Sequence, residues 1–99
     1  METKKRRAVI LYIRDFTPAS SGETEYVKKH NGLIRLIDEI MQTGKGDTIE
    51  VTSQISLGDN ESEFRESLRR IQGAELYLQI GRVTYHPVDL PMLKWKGKR

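Results

Sequence analysis

The sequence has no cysteine, which excludes disulfides, thiol chemistry and cysteine-based metal sites. That absence suits a reducing cytoplasm. Aromatic residues make up only 7% of the chain, and Tyr12, Tyr77 and Trp95 fall into no recognisable base-stacking platform. No apolar run approaches the length of a membrane span: the longest is Ala8 to Ile13, so no membrane association is expected. The opening "METKKRRAVILYIRD" places bases before an apolar run, as a signal peptide does, but the run is too short and Arg14 and Asp15 interrupt it. The two histidines, His30 and His86, stand far apart, and neither has a second ligand at metal spacing. No metal and no cofactor are therefore expected. There is also no internal repeat and no low-complexity linker.

What is present fits one small domain over residues 1–99, with 36% hydrophobic and 31% charged residues and a net charge of +3. The charge is unevenly laid out. Lys4, Lys5, Arg6 and Arg7 lie in a basic N-terminal tail over 1–7. Lys94, Lys96, Lys98 and Arg99 close an irregular basic segment over 81–99. Setting these eight bases and Glu2 aside leaves 9 bases against 13 acids, a body of about −4. A body built to lie along a phosphate backbone carries the bases itself. Here the ends alone are equipped for nucleic acid, through counterion release, and the competing reading of such ends is that they solubilise the chain.

The apolar pattern alternates between two periods. Ala8–Ile13 is short, continuous and rich in β-formers, as in a strand buried on both faces of a parallel sheet. From Tyr26 to Met41, apolar residues recur at three- and four-residue steps, giving a helix with one apolar stripe that includes His30. Asn31-Gly32 is its weak point, and "TGKGD" stops it. Thr48–Leu57 reads as a strand in one or two pieces. Asn60 and Glu63 form a capping-box pattern ahead of Phe64, Leu68 and Ile71, and Gly73 is the expected stop of this second helix. Glu75–Ile80 alternates as a third strand, and Val83 and Tyr85 suggest a short fourth. Leu90, Met92, Leu93 and Trp95 are expected to pack on the body or a partner. The order predicts an α/β fold: a small three-layer βαβαβ domain with a mainly parallel sheet of three or four strands. The alternative is a ferredoxin-like α+β fold, which would split Thr48–Leu57 into a hairpin that no Gly or Asn marks.

Ligands of open parallel sheets sit beyond the carboxyl ends of the strands. Arg14 and Arg82 each follow a strand and could converge on one phosphate, with Ser20 or Ser21 as nucleophile or donor. The plainer expectation is that Arg14 pairs with Asp15 or Asp59. "TPASSGETEY" lacks the glycine spacing of a nucleotide loop, and "TGKGDT" follows a helix rather than a strand, so a phosphate-loop NTPase is excluded.

"RAVILYIRDFT" resembles the opening of the serine recombinase (resolvase/invertase) catalytic domain, in which a basic residue and an apolar strand lead to Tyr-x-Arg-x-Ser-Thr. Tyr12, Arg14 and Thr17 match that pattern, and Phe16 stands at the nucleophilic serine. "ISLGDNESEFRESLRRIQGAELYLQIGRV" resembles the family's second helix and third strand, with Arg82 and Val83 at the end of its Asp-Arg-Leu motif and Gly81 in place of the acid. The resemblance implies a flavodoxin-like α/β fold and strand exchange through a serine–DNA linkage. Phenylalanine cannot attack phosphate. The functional expectation is thus a non-catalytic binding module that engages a protein partner or its own copy, with basic tails on nucleic acid. The alternatives are a phosphate-handling enzyme at the strand ends and a structural assembly subunit.

Overall fold

The computed structural model describes residues 8–14 and 24–97. Four strands and two helices alternate in the expected order: β1 (Val9–Leu11), α1 (Glu25–Thr43), β2 (Thr48–Val51), α2 (Glu61–Gly73), β3 (Tyr77–Ile80) and β4 (Val83–Tyr85). Two 3-10 segments, Gln54–Leu57 and Pro87–Met92, complete the elements of the described residues. The sheet order is β1-β2-β3-β4; the first three strands are parallel and β4 is antiparallel to β3. This is a small α/β domain with a mainly parallel four-stranded sheet, and the hairpin required by the ferredoxin-like alternative does not form. Residues 54–57 turn into a 3-10 segment instead.

The register sorts the side chains. Ile10, Ile49, Leu78 and Tyr85 are aligned and share one face. Ile49 and Leu78 there are fully buried, together with Val51. Both helices cover that face, since they touch each other through Lys29–Glu63 and Tyr26–Ser67 contacts. Helices on opposite faces of a sheet are held apart by it, so the described residues form two layers rather than three. The crossovers from β1 to β2 and from β2 to β3 both move the same way along the sheet, which puts both helices on one side. The opposite face carries Val9, Leu11, Glu50, Gln79 and Thr84 and is partly open. The expectation that Ala8–Ile13 is buried on both faces fails for the same reason: β1 is an edge strand, and Val9, Leu11 and Ile13 are 47%, 50% and 74% exposed.

Helix α1 is capped by the Thr24 side chain, which accepts from the Val27 N–H at 3.2 Å, and ends on the left-handed Gly44. Within it two helical stretches meet at His30, which takes a non-helical conformation (φ −126°, ψ 24°) just before Asn31-Gly32. The weak point read from the sequence is therefore a kink, set two residues earlier than the glycine. Helix α2 begins as its capping pattern predicts: Asn60 Oδ1 accepts from the Glu63 N–H at 2.9 Å. Helix α2 ends at Gly73, as the sequence expects, but the left-handed residue is Glu75 (φ 59°), and the Leu76 N–H reaches back to the Ile71 carbonyl. The segment after β4 packs as expected in part. Leu90 is fully buried, Leu93 and Trp95 lie against the core, and Met92 is exposed.

Candidate functional site

Just past the ends of β1 and β2, the chain brings together a connected cluster of charges. β1 delivers Arg14. The segment after β2 turns through Gly58 to place Asp59 and, in the first turn of α2, Glu63. The first turns of α1 supply Tyr26, Lys29 and His30.

Arg14 donates to both Asp59 oxygens, at 2.8 and 3.1 Å, and to the Ile55 carbonyl at 3.1 Å. Its side chain is only 5% exposed. This forked pairing is the strong form of a carboxylate–guanidinium contact, and it holds the Asp59 carboxyl down at about 2, with Lys29 assisting. Lys29 bridges Asp59 and Glu63, at 3.1 and 3.0 Å. Burial pushes the Glu63 carboxyl up, but the Asp59 N–H, Lys29 and His30 together hold it below its ordinary value. Glu63 reaches back to the N–H of Asp59 rather than that of Asn60, a one-residue variant of the capping box. Its position in the first turn also places its charge on the favourable end of the helix dipole.

His30 is fully buried, and its Nε2 lies 3.2 Å from Glu63 Oε1. Burial lowers its pKa despite that carboxylate. The neutral ring therefore donates from Nε2, leaving Nδ1 as a buried acceptor with no hydrogen-bond partner. Tyr26 stacks on His30 with ring centres 4.6 Å apart. The Ser67 hydroxyl donates to the Leu57 carbonyl, so the Tyr26 hydroxyl donates to Ser67 Oγ at 2.8 Å. Burial raises the Tyr26 phenol to about 12.

The cluster sets a pH dependence. Above the unfolded histidine value of about 6.5, neither state of His30 carries a proton, and its full contribution to stability is present. As pH falls through that value, the unfolded chain gains a proton that buried His30 resists, so stability drops. Asp59 and Glu63 add a second loss as pH falls below about 4, because their folded pKa values are depressed. The expected result is a lower melting temperature at pH 5.5 than at pH 7.5, and a further drop at pH 3.5. His30→Gln should flatten the upper limb and keep the lower one. An upper limb that survives this substitution would mean that His30 does not titrate as the burial requires.

Of the candidate residues, Arg14 lies in this cluster, and the pairing with Asp59 is the one the structure shows. Arg82 is exposed in the turn between β3 and β4, and β2 separates β3 from β1. Ser20 and Ser21 lie outside the described residues, as do Lys4, Lys5, Arg6, Arg7, Lys98 and Arg99. Lys94 and Lys96 are exposed on a backbone held by Gln54, which donates to the Lys94 carbonyl at 2.9 Å and accepts from the Lys96 N–H at 2.8 Å. Sequence reasoning missed Lys29, which falls on the polar side of its helix, and the His30–Glu63 pair. The signal for the pair was an acid in a first turn together with a histidine on an apolar stripe. Among the described residues, no group of three or more His, Asp or Glu side chains is arranged to hold a metal ion, and no helix is long and apolar enough to cross a membrane.

The fold and the cluster define a small two-layer α/β domain in which Arg14, Lys29, Asp59 and Glu63, past the ends of β1 and β2, are paired with one another. No family model matches this chain, and no curated protein or solved structure is significantly similar to it.

Proposed function

We propose that this chain is a non-catalytic binding module that engages a protein partner or its own copy, with its basic ends contacting nucleic acid. The observation that carries the reading is the closure of the strand-end cluster. Arg14, the residue best placed to hold a phosphate, is committed to Asp59 and nearly buried. The sheet order supports the same reading. In open α/β sheets the ligand crevice lies where the strand order reverses and helices part to opposite faces. Here the order runs straight from β1 to β4. The nucleic-acid part rests on charge: eight bases at the ends, on a body of about −4. The absence of cysteine suits action in a reducing cytoplasm.

The test is fluorescence anisotropy with labelled duplex and single-stranded DNA and RNA at low and moderate salt. Binding should weaken steeply with salt, and the slope should fall toward zero when residues 1–7 and 94–99 are replaced by neutral ones. Binding that ignores salt, or that survives loss of both basic ends, would remove nucleic acid from the reading. Arg14→Ala should leave the affinity nearly unchanged while destabilising the fold.

A further inference from the structure

Both edges of the sheet are three-residue strands, and β4, with Val83 exposed, leads into the irregular basic segment. The β1 edge belongs to the longest apolar run in the chain, and the side chains on its open face, Val9, Leu11 and Ile13, are all substantially exposed. Edge strands are normally protected by lysine, proline, a bulge or a cover. Residues 8–13 contain no lysine and no proline. Beside this edge runs an open groove of about 420 Å³ between β1 and α1, with Leu11, Ile13 and Leu36 on its walls and Arg35 and Glu39 on its rim.

Arg35 and Glu39 stand one helical turn apart and carry opposite charges. Arg35 donates to the Asn31 side chain at 3.4 Å, and among the described residues neither Arg35 nor Glu39 is in an ion pair. That pattern is its own complement. A two-fold axis perpendicular to the sheet, passing beside β1, would bring a second β1 antiparallel to the first and a second α1 alongside α1. Arg35 of each copy would then face Glu39 of the other, and the apolar edge would meet an apolar edge.

We infer that β1 and the flanking groove of α1 are a homodimer interface, in which two copies pair edge to edge into a continuous eight-stranded sheet. The inference rests on the binding-module reading and supplies its partner, a second copy of this chain. An unrelated extended peptide would also find the edge of β1, which no other described strand pairs, but it would not require the Arg35–Glu39 arrangement.

Sedimentation velocity on the full chain tests it. Wild type should be dimeric at about 100 µM, and Leu11→Lys should weaken the dimer by at least about tenfold. Arg35→Glu and Glu39→Arg should each weaken it by about tenfold, and the double exchange should restore it. Circular dichroism accompanies each variant; if Leu11→Lys unfolds, the two surface charge variants carry the test alone. A monomeric wild type, a dimer indifferent to all these changes, or a double exchange without rescue overturns the inference. A monomer that still binds DNA with salt dependence rejects this interface and leaves the module reading standing. A dimer of the expected kind that binds no nucleic acid rejects only the role of the basic ends.

Discussion

Phe64→Ala is expected to cost about 3–5 kcal/mol of folding stability, the range for truncating a buried aromatic. Phe64 is fully buried on α2, next to Leu68 and Ile71 of the same stripe. Its ring lies 5.1 Å from that of Trp95, tilted by 43°, and the Arg65 guanidinium sits 5.6 Å from its centre. Removing it opens a cavity between α2 and the C-terminal segment, and little can collapse into it, because Leu57 and Leu90 nearby are already fully buried. Domains of this size hold only about 5–15 kcal/mol in total, so the variant should be marginal at room temperature. Urea denaturation gives the loss. Trp95 is the one tryptophan in the chain, so its emission should shift red as its packing partner disappears, even under native conditions. Phe64→Leu, which keeps most of the volume, should lose far less and leave the emission close to wild type. A loss below about 1 kcal/mol for Phe64→Ala would mean that the C-terminal segment does not share the core as described.

The parts of this fold set by local chemistry were readable in the sequence. The apolar stripe of α1, the Asn60 cap and the short fourth strand follow from spacing and from side-chain donors and acceptors within a few residues. The Arg14–Asp59 pair was readable as one of two partners, because a strand-end arginine seeks the nearest carboxylate. The parts that depend on how strands are ordered were not readable. Alternation of strand and helix is the same whether β1 lies at an edge or in the middle, and a run such as "AVILYI" serves in either place. The layering and the exposure of Val9, Leu11 and Ile13 therefore had to come from the structure. Glu75 shows a different limit. Gly73 is the residue chemically suited to a left-handed stop, yet the chain makes that turn two residues later, at Glu75. There Leu76 is buried at the entry to β3, and burial of a leucine outweighs the roughly 1–2 kcal/mol of a left-handed non-glycine residue. The His30–Glu63 pair was hidden because each partner had a sufficient local explanation, one as a packed ring and the other as a cap.

The same cluster depends on a residue with no side chain. Gly58 is in an extended conformation any residue could adopt (φ 175°), so its freedom of backbone is not what matters. Space is. A Cβ at this position would lie 2.5 Å from the Phe64 backbone nitrogen, 2.8 Å from the Glu63 carbonyl carbon and 2.9 Å from the Glu63 Cβ. The first two are main-chain atoms of the first turn of α2, and they cannot rotate away. Gly58→Ala must therefore push the 58–60 segment off the helix. That would strain the Asn60 cap, the Asp59 N–H bond to Glu63 and the forked Arg14–Asp59 pair together. The expected loss is about 3 kcal/mol, at the upper end for overpacking a tight site. Gly46→Ala is the matched control. Its Cβ would meet the Ile10 Cδ1 at 2.6 Å, the far end of a flexible side chain that can turn aside, so it should cost within about 1 kcal/mol. Thermal melts at pH 7.5 and pH 3.5 separate the causes. If Gly58→Ala acts by displacing Asp59 from Arg14, the variant should lose part of the acid-dependent drop as well as stability, because an unpaired Asp59 titrates near its ordinary value in both states. A variant as stable as Gly46→Ala, or one with the wild-type acid limb intact, would show that the 58–60 segment can move without disturbing the pair.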